Sequence, residues 1–144
     1  MLRTRLRPRL AAAALLTLTA AGGCSDSTGP SSIAGSYQAT TLRVTRSGQS
    51  TDALAAGVRL SVTIASSNAV TGSFFVPAAL NGGADETSPI SGTAVRTGNT
   101  VRFSGSDATF LEDLTFTVGS NTLQADQTLG AGAGATRYQV VLTR

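Results

Sequence analysis

Val58, Leu60, Val62 and Ile64 alternate with Arg59, Ser61, Thr63 and Ala65. A side-chain period of two fits a strand with one face in a core and the other in water, and it does not fit a helix. The pattern recurs. Tyr138, Val140 and Leu142 alternate with Arg137, Gln139 and Thr143, leaving Val141 as an apolar residue on the outer face. Val101 and Phe103 alternate with Thr100, Arg102 and Ser104, and Leu114, Phe116 and Val118 alternate with Thr115 and Thr117. Residues 36–45, 69–77, 88–97 and 121–127 are rich in β-branched and aromatic side chains and also read as strands. Eight strands with frequent turn residues predict an all-β fold, an eight-stranded antiparallel up-and-down barrel, with an open β-sandwich as the alternative. The one helical candidate is 52–57, with Ser50 or Thr51 as its cap and Gly57 as its stop.

The connections are of two alternating kinds. Residues 66–68, 97–99 and 119–121 are short and end in Asn68, Asn99 and Asn121, a residue type that tolerates positive φ in tight turns. The joins at 47–57, 78–87, 105–108 and 128–135 are longer. In an up-and-down meander successive connections lie at opposite ends, so one end is predicted closed and the other loop-rich. Gly72, Gly92, Ala94 and Ala125 share inward registers, and their small size predicts interior volume.

That arrangement resembles the lipocalin-like β-barrels, which hold small apolar molecules at a loop-rich mouth. Gly35-Ser36-Tyr37 at the head of the first strand is similar to the family's Gly-x-Trp signature, with tyrosine in place of tryptophan. The resemblance implies a late arginine packed across that ring at the closed end, with Arg144 and Arg137 as the two candidates.

The segment ahead of the strands has a different character. Arg3, Arg5, Arg7 and Arg9 precede an apolar run at 10–21, followed by Gly22, Gly23 and Cys24, the sole cysteine. The run is about a dozen residues, short of the roughly 20 that span a bilayer, and it has the layout of an export signal. Ala21-Gly22-Gly23-Cys24 resembles the lipobox of bacterial lipoproteins, which implies lipidation of Cys24. The domain reading is then a signal peptide at 1–23, a flexible Ser/Gly/Pro tether at 24–32 and a β-barrel at 33–144. Ser25, not aspartate, follows the cysteine, and by the same resemblance this favours the outer membrane, facing the periplasm, over the inner membrane.

Composition narrows the function. Four of the 11 basic residues precede Cys24, so seven face eight acidic ones in the mature chain, a net charge of −1. That balance offers no basic stripe for nucleic acid and no polybasic patch for anionic lipid. Membrane contact is expected through the N-terminal lipid alone, and the domain is expected to be a monomer. Histidine, lysine and tryptophan are absent, as is any cysteine beyond Cys24. The commonest general base, the Schiff-base amine and the soft metal ligands are therefore missing, so no catalytic residue, metal site or cofactor is assigned and the protein is read as a non-enzyme. Asp85-Glu86 and Glu112-Asp113 read as solvated loop charges, and 130–134 as a flexible loop because a strand, not a helix, follows it. Arg43, Arg59 and Arg102 lie on strands, and the alternation turns Arg59 and Arg102 outward.

Two function classes follow. One is a lipid-anchored binding module for a small apolar or amphipathic molecule. The other is a structural or interaction module of the cell envelope with a filled core. For the first, the expected ligand contacts are Leu80, Phe110, Leu111 and Leu129 in the loop-rich connections, with Phe74 and Phe116 on the strands beside them.

Overall fold

The computed structural model describes residues 32–105 and 109–144, and the signal, Cys24 and most of the tether lie outside them. The described chain runs β1 (Gly35–Arg46), β2 (Gln49–Asp52), β3 (Arg59–Ile64), β4 (Ala69–Val76), α1 (Ala78–Asn81), β5 (Glu86–Thr97), β6 (Thr100–Ser104), α2 (Thr109–Asp113), β7 (Thr115–Val118), β8 (Thr122–Leu129), a 3-10 turn (Gly132–Gly134) and β9 (Thr136–Thr143). Every pairing is antiparallel between sequence neighbours, except that β3 lies directly beside β1 and β1 also pairs with β9. The β1–β9 ladder closes an eight-stranded barrel and disposes of the open sandwich. β2 is the additional strand.

That extra strand corrects the reading of 47–57 as a plain loop. Ser47 and Gly48, both at positive φ, turn the chain back, and Gln49–Asp52 zips onto Arg43–Arg46. The expected helix at 52–57 is a hydrogen-bonded turn instead: Ala56 N–H donates to the Asp52 carbonyl and Gly57 N–H to that of Leu54. Its cap is Asp52, the last residue of β2, whose Oδ1 accepts from Ala55 N–H at 3.1 Å, while Ser50 and Thr51 lie further back on that strand. Two other long joins also carry structure. The 78–87 connection contains α1 and the start of β5, and residues 128–129 belong to β8.

The inward faces follow the alternation. Val58, Leu60, Val62, Ile64, Val101, Phe103, Leu114, Phe116, Val118, Val140 and Leu142 are all buried in one core, with Tyr138 packed half-buried against it. β1 reaches that core from both halves only through a bulge. Tyr37 and Leu42 are five residues apart and both buried, and the ladder to β9 shifts between Ala39 and Thr41, so Thr40 is the extra residue that moves the inward face from odd to even positions. The outer wall is tied by cross-strand hydroxyl pairs, Ser36 with Thr63, Ser61 with Ser73, Thr93 with Ser104 and Thr40 with Thr143, at 2.9–3.1 Å.

Gly72 and Gly92 do not create interior volume. A Cβ on Gly72 would lie 2.1 Å from the Ser61 carbonyl oxygen, and one on Gly92 would lie 2.2 Å from that of Ser104. The neighbouring backbone already fills the space: the two glycines let adjacent strands coil tightly enough to close a small barrel.

The closed end is held by turn carbonyls and one arginine. Asn68, Asn99 and Asn121 accept backbone N–H bonds from Ala94, Val118 and Arg144, extending three ladders beyond the strands. Only Asn68 takes a positive φ, at 67°; in the second turn Gly98 does so instead, at 58°. Arg144 lies over the Tyr37 ring, 5.8 Å from its centroid, and donates to the carbonyls of Ser32, Ala34 and Ser120. The Tyr37 hydroxyl in turn donates to the Ile33 carbonyl at 2.9 Å. Of the two candidate arginines, Arg137 is elsewhere, paired with Asp126 on the outer wall.

Leu60→Ala or Phe116→Ala should cost about 2–5 kcal/mol through cavity formation, while Thr63→Ala or Thr117→Ala should cost less than about 1 kcal/mol. Gly72→Ala should destabilise by about 1–3 kcal/mol or more, whereas Gly83→Ala, with open space around it, should stay within about 0.5 kcal/mol. Urea unfolding of each variant measures both contrasts, and equal costs within either pair would overturn the assignment of faces or of backbone crowding.

Candidate functional site: an apolar recess at the loop-rich end

The two ends of the barrel differ because β6, β7 and β8 pair over short lengths only. β6 and β7 share the register from Thr100↔Thr117 to Arg102↔Thr115, and β7 meets β8 only at Thr117↔Gln124 and Val118↔Leu123. Above those pairs the strands separate. α2 enters beside β6, held by Arg102, whose Nη2 donates to the Glu112 carbonyl at 3.3 Å. The Gln127 side chain accepts from Thr115 N–H, where the β7–β8 ladder has ended. α2 contributes two large side chains in different ways. Leu111 is fully buried in the core, and Phe110 lies half-buried at the barrel mouth.

Phe110 forms the middle of an aromatic row. Its ring stacks on Tyr138 at 5.5 Å with 15° between the planes, and meets Phe74 edge-on at 5.3 Å. Beside the row is a recess of about 310 Å3 lined by Leu42, Val44, Ala53, Val58, Phe74, Val76, Phe110 and Tyr138. β1, β4 and β9 supply the strand contributions by their inward registers, the turn after β2 supplies Ala53 and Val58, and α2 supplies Phe110. The Tyr138 hydroxyl is the only polar side-chain group in the lining, and it makes no hydrogen bond among the described residues. Toward the closed end the interior is solid, filled by Phe116, Ile64, Leu114, Leu123, Leu142 and their neighbours. The cavity is therefore confined to one end.

Of the residues expected to contact a ligand, Phe74 and Phe110 line the recess. Leu111 and Phe116 do not: each is fully buried and packed into the core. Leu129 is on β8 and packs half-buried against the core outside the lining, and Leu80 projects from α1 at 49% exposure, away from the recess. Ala53, in the apolar stretch 53–57 expected to border the mouth, also lines the recess, while Leu42, Val44, Val58, Val76 and Tyr138 are contacts the sequence reading does not name. The alternation of Leu42 and Val44 with Arg43 and Thr45, and of Phe74 and Val76 with Phe75, carried the signal for the strand residues.

The outer wall holds the strongest charge interaction. Arg137 grips Asp126 with Nε and Nη2 at 2.6 Å each, and Gln139 Nε2 donates to the same carboxylate at 3.1 Å. These bonds, Arg137 first and Gln139 second, hold the Asp126 carboxyl below its ordinary range. Of the first acidic pair, Asp85 Oδ1 accepts from Ala78 N–H and Glu86 Oε2 from Asn81 Nδ2. Among the described residues no group of three His, Cys, Asp or Glu is placed to hold a metal ion. Arg59 lies outward over the Phe75 ring.

The described residues form a closed antiparallel β-barrel with an apolar recess at its loop-rich end. Comparison with protein-family models, curated proteins and solved structures finds no match.

A carboxyl whose folded pKa is depressed contributes stability that is present above its unfolded pKa and lost as pH falls through the folded value. Asp126 should therefore titrate below the ordinary aspartate range in an NMR series. Asp126→Asn should lose less stability than the parent on acidification from roughly pH 5 to pH 2. Equal acid sensitivity of parent and variant would show that the pair adds nothing.

Proposed function

We propose that this chain is a lipid-anchored binding protein of the bacterial cell envelope that holds a small apolar or amphipathic molecule in the recess at the loop-rich end of its barrel. The recess carries the reading: about 310 Å3 with an almost wholly apolar lining lies at the low end of the size range of small-molecule sites. The packing of Arg144 across Tyr37, beside Gly35 and opposite the opening, supports the lipocalin-like resemblance. A Cβ on Gly35 would meet Arg144 Cδ at 2.6 Å, which accounts for glycine at that position. Binding rather than catalysis is the function proposed, since the chain has neither histidine nor lysine.

Attachment is proposed through Cys24, with the outer membrane, periplasmic side, as the location. Each buried methylene of an acyl chain adds about 0.8 kcal/mol of membrane affinity, so two or more chains make a stable anchor where the polar tether has none. Metabolic labelling with palmitate should mark the protein and Cys24→Ser should abolish the label. An unlabelled protein with a free thiol would remove the anchor.

The site is tested with a neutral environment-sensitive naphthylamine dye. Residues 24–144 carrying Cys24→Ser suit the measurement, because the barrel closes and packs its core within residues 32–144. The dye should bind saturably, Ala53→Phe should abolish binding by filling the recess, and Leu80→Ser should leave it unchanged. Absence of saturable binding, or insensitivity to Ala53→Phe, would refute the proposal.

A further inference from the structure

We infer that the recess takes single-tailed anionic amphiphiles with the tail inward and the head at the rim, where Arg46 is the head-group contact. The inference rests on the binding role proposed above and adds the chemical class of the ligand.

The register of β1 places Arg46. Leu42 and Val44 face inward and line the recess, and alternation puts Arg46 on the same face, one step nearer the opening. The β1–β9 register sets the level: Val44 is opposite Tyr138, which lines the recess, and Arg46 is opposite Thr136, where β9 begins. Two residues of strand advance about 6.6 Å, so the guanidinium stands at the rim within reach of a head group whose tail lies against Val44 and Tyr138.

Arg46 is also available, being exposed with no ion pair or hydrogen bond among the described residues. The other arginines of the described chain point elsewhere. Arg59 is over Phe75, Arg102 on the Glu112 carbonyl, Arg137 on Asp126, Arg96 on the Gly98 carbonyl, Arg144 at the closed end, and Arg43 on the outward row of β1. Among the described acidic residues of the connections, Asp52, Asp85 and Glu86 each accept a hydrogen bond from a local donor, and Glu112 and Asp113 lie on α2. Among the described residues the recess thus has an apolar interior, one hydroxyl on Tyr138 and, at its edge, the Arg46 cation with no described partner.

Its size sets the tail. A liquid water occupies about 30 Å3, so 310 Å3 is worth roughly ten such volumes, enough for one chain of about ten carbons. A two-chain lipid does not fit. An anionic head cannot enter the lining, which has no charged side chain to meet it, and must stay at the wet rim.

Displacement of the neutral naphthylamine dye by decanoate and by decanol, in the 24–144 protein with and without Arg46→Gln, separates tail from head. Arg46→Gln should weaken decanoate roughly three- to fivefold, as loss of an exposed charge pair does, and change decanol by less than about 1.5-fold. Arg46→Lys should retain most of the decanoate affinity, and the Arg46→Gln effect should shrink at about 0.5 M salt, where the Debye length is a few ångströms. Equal losses for both competitors, or none for decanoate, would overturn the role of Arg46 while leaving the recess in place. Failure of the dye to bind at all would refute the recess itself and this inference with it.

Discussion

The ladder between β1 and β9 is the interaction on which everything else depends. It joins the first strand of the barrel to the last and leaves no free edge between them, so the sheet can enclose a core instead of exposing one apolar face. Closure at this size is a steric problem as much as a hydrogen-bonding one. The strands must coil sharply, and they do so where Gly72 and Gly92 let the carbonyls of Ser61 and Ser104 approach to distances that a Cβ would forbid. Thr40 solves the matching problem on β1. Without the bulge, either Tyr37 or Leu42 would face solvent.

The same closure is incomplete at one end, and that asymmetry makes the recess. At the closed end, turn carbonyls and Arg144 carry hydrogen bonding past the last strand residue. At the other end the β6–β7 and β7–β8 ladders stop early, α2 is wedged into the gap, and Phe110 lies across the opening. Leu111 and Phe110 are adjacent on one short helix and serve different purposes, the first sealing the core and the second shaping the space above it. Among the described residues the barrel has a filled core and an apolar depression at its loop-rich end, intermediate between a ligand-filled cup and a sandwich with a filled core.

Period-two alternation makes the strands legible, since each buried residue of β3, β6, β7 and β9 is flanked by less buried ones, and the core residues of those strands follow directly from it. Short segments were less legible. Gln49–Asp52 has no apolar face and pairs only because the Ser47-Gly48 turn presents it to β1. Small residues were the most misleading: Gly72 and Gly92 suggest space when side chains are counted, but backbone fills that space, which sequence cannot show. Leu111 and Phe116 suggested ligand contacts by their composition and position, yet an apolar residue near a loop is as well suited to sealing a core. The face of Arg46 is not legible in the sequence, because it ends a strand and depends on a bulge six residues earlier.

The Arg144 clasp has a mechanical meaning. The chain leaves the barrel toward its N-terminus beneath that side chain, which holds the Ser32 and Ala34 carbonyls. A pull on the segment ahead of Ser32 is therefore delivered along the axis of β1. β1 is bonded to β3 on one side and to β9 on the other, and antiparallel bonds run perpendicular to the strand. Such a load shears many bonds together instead of unzipping them in turn. The load meets the β3 pairing at Gly35–Gln38 before it reaches Leu42 and Val44, the β1 residues that line the recess.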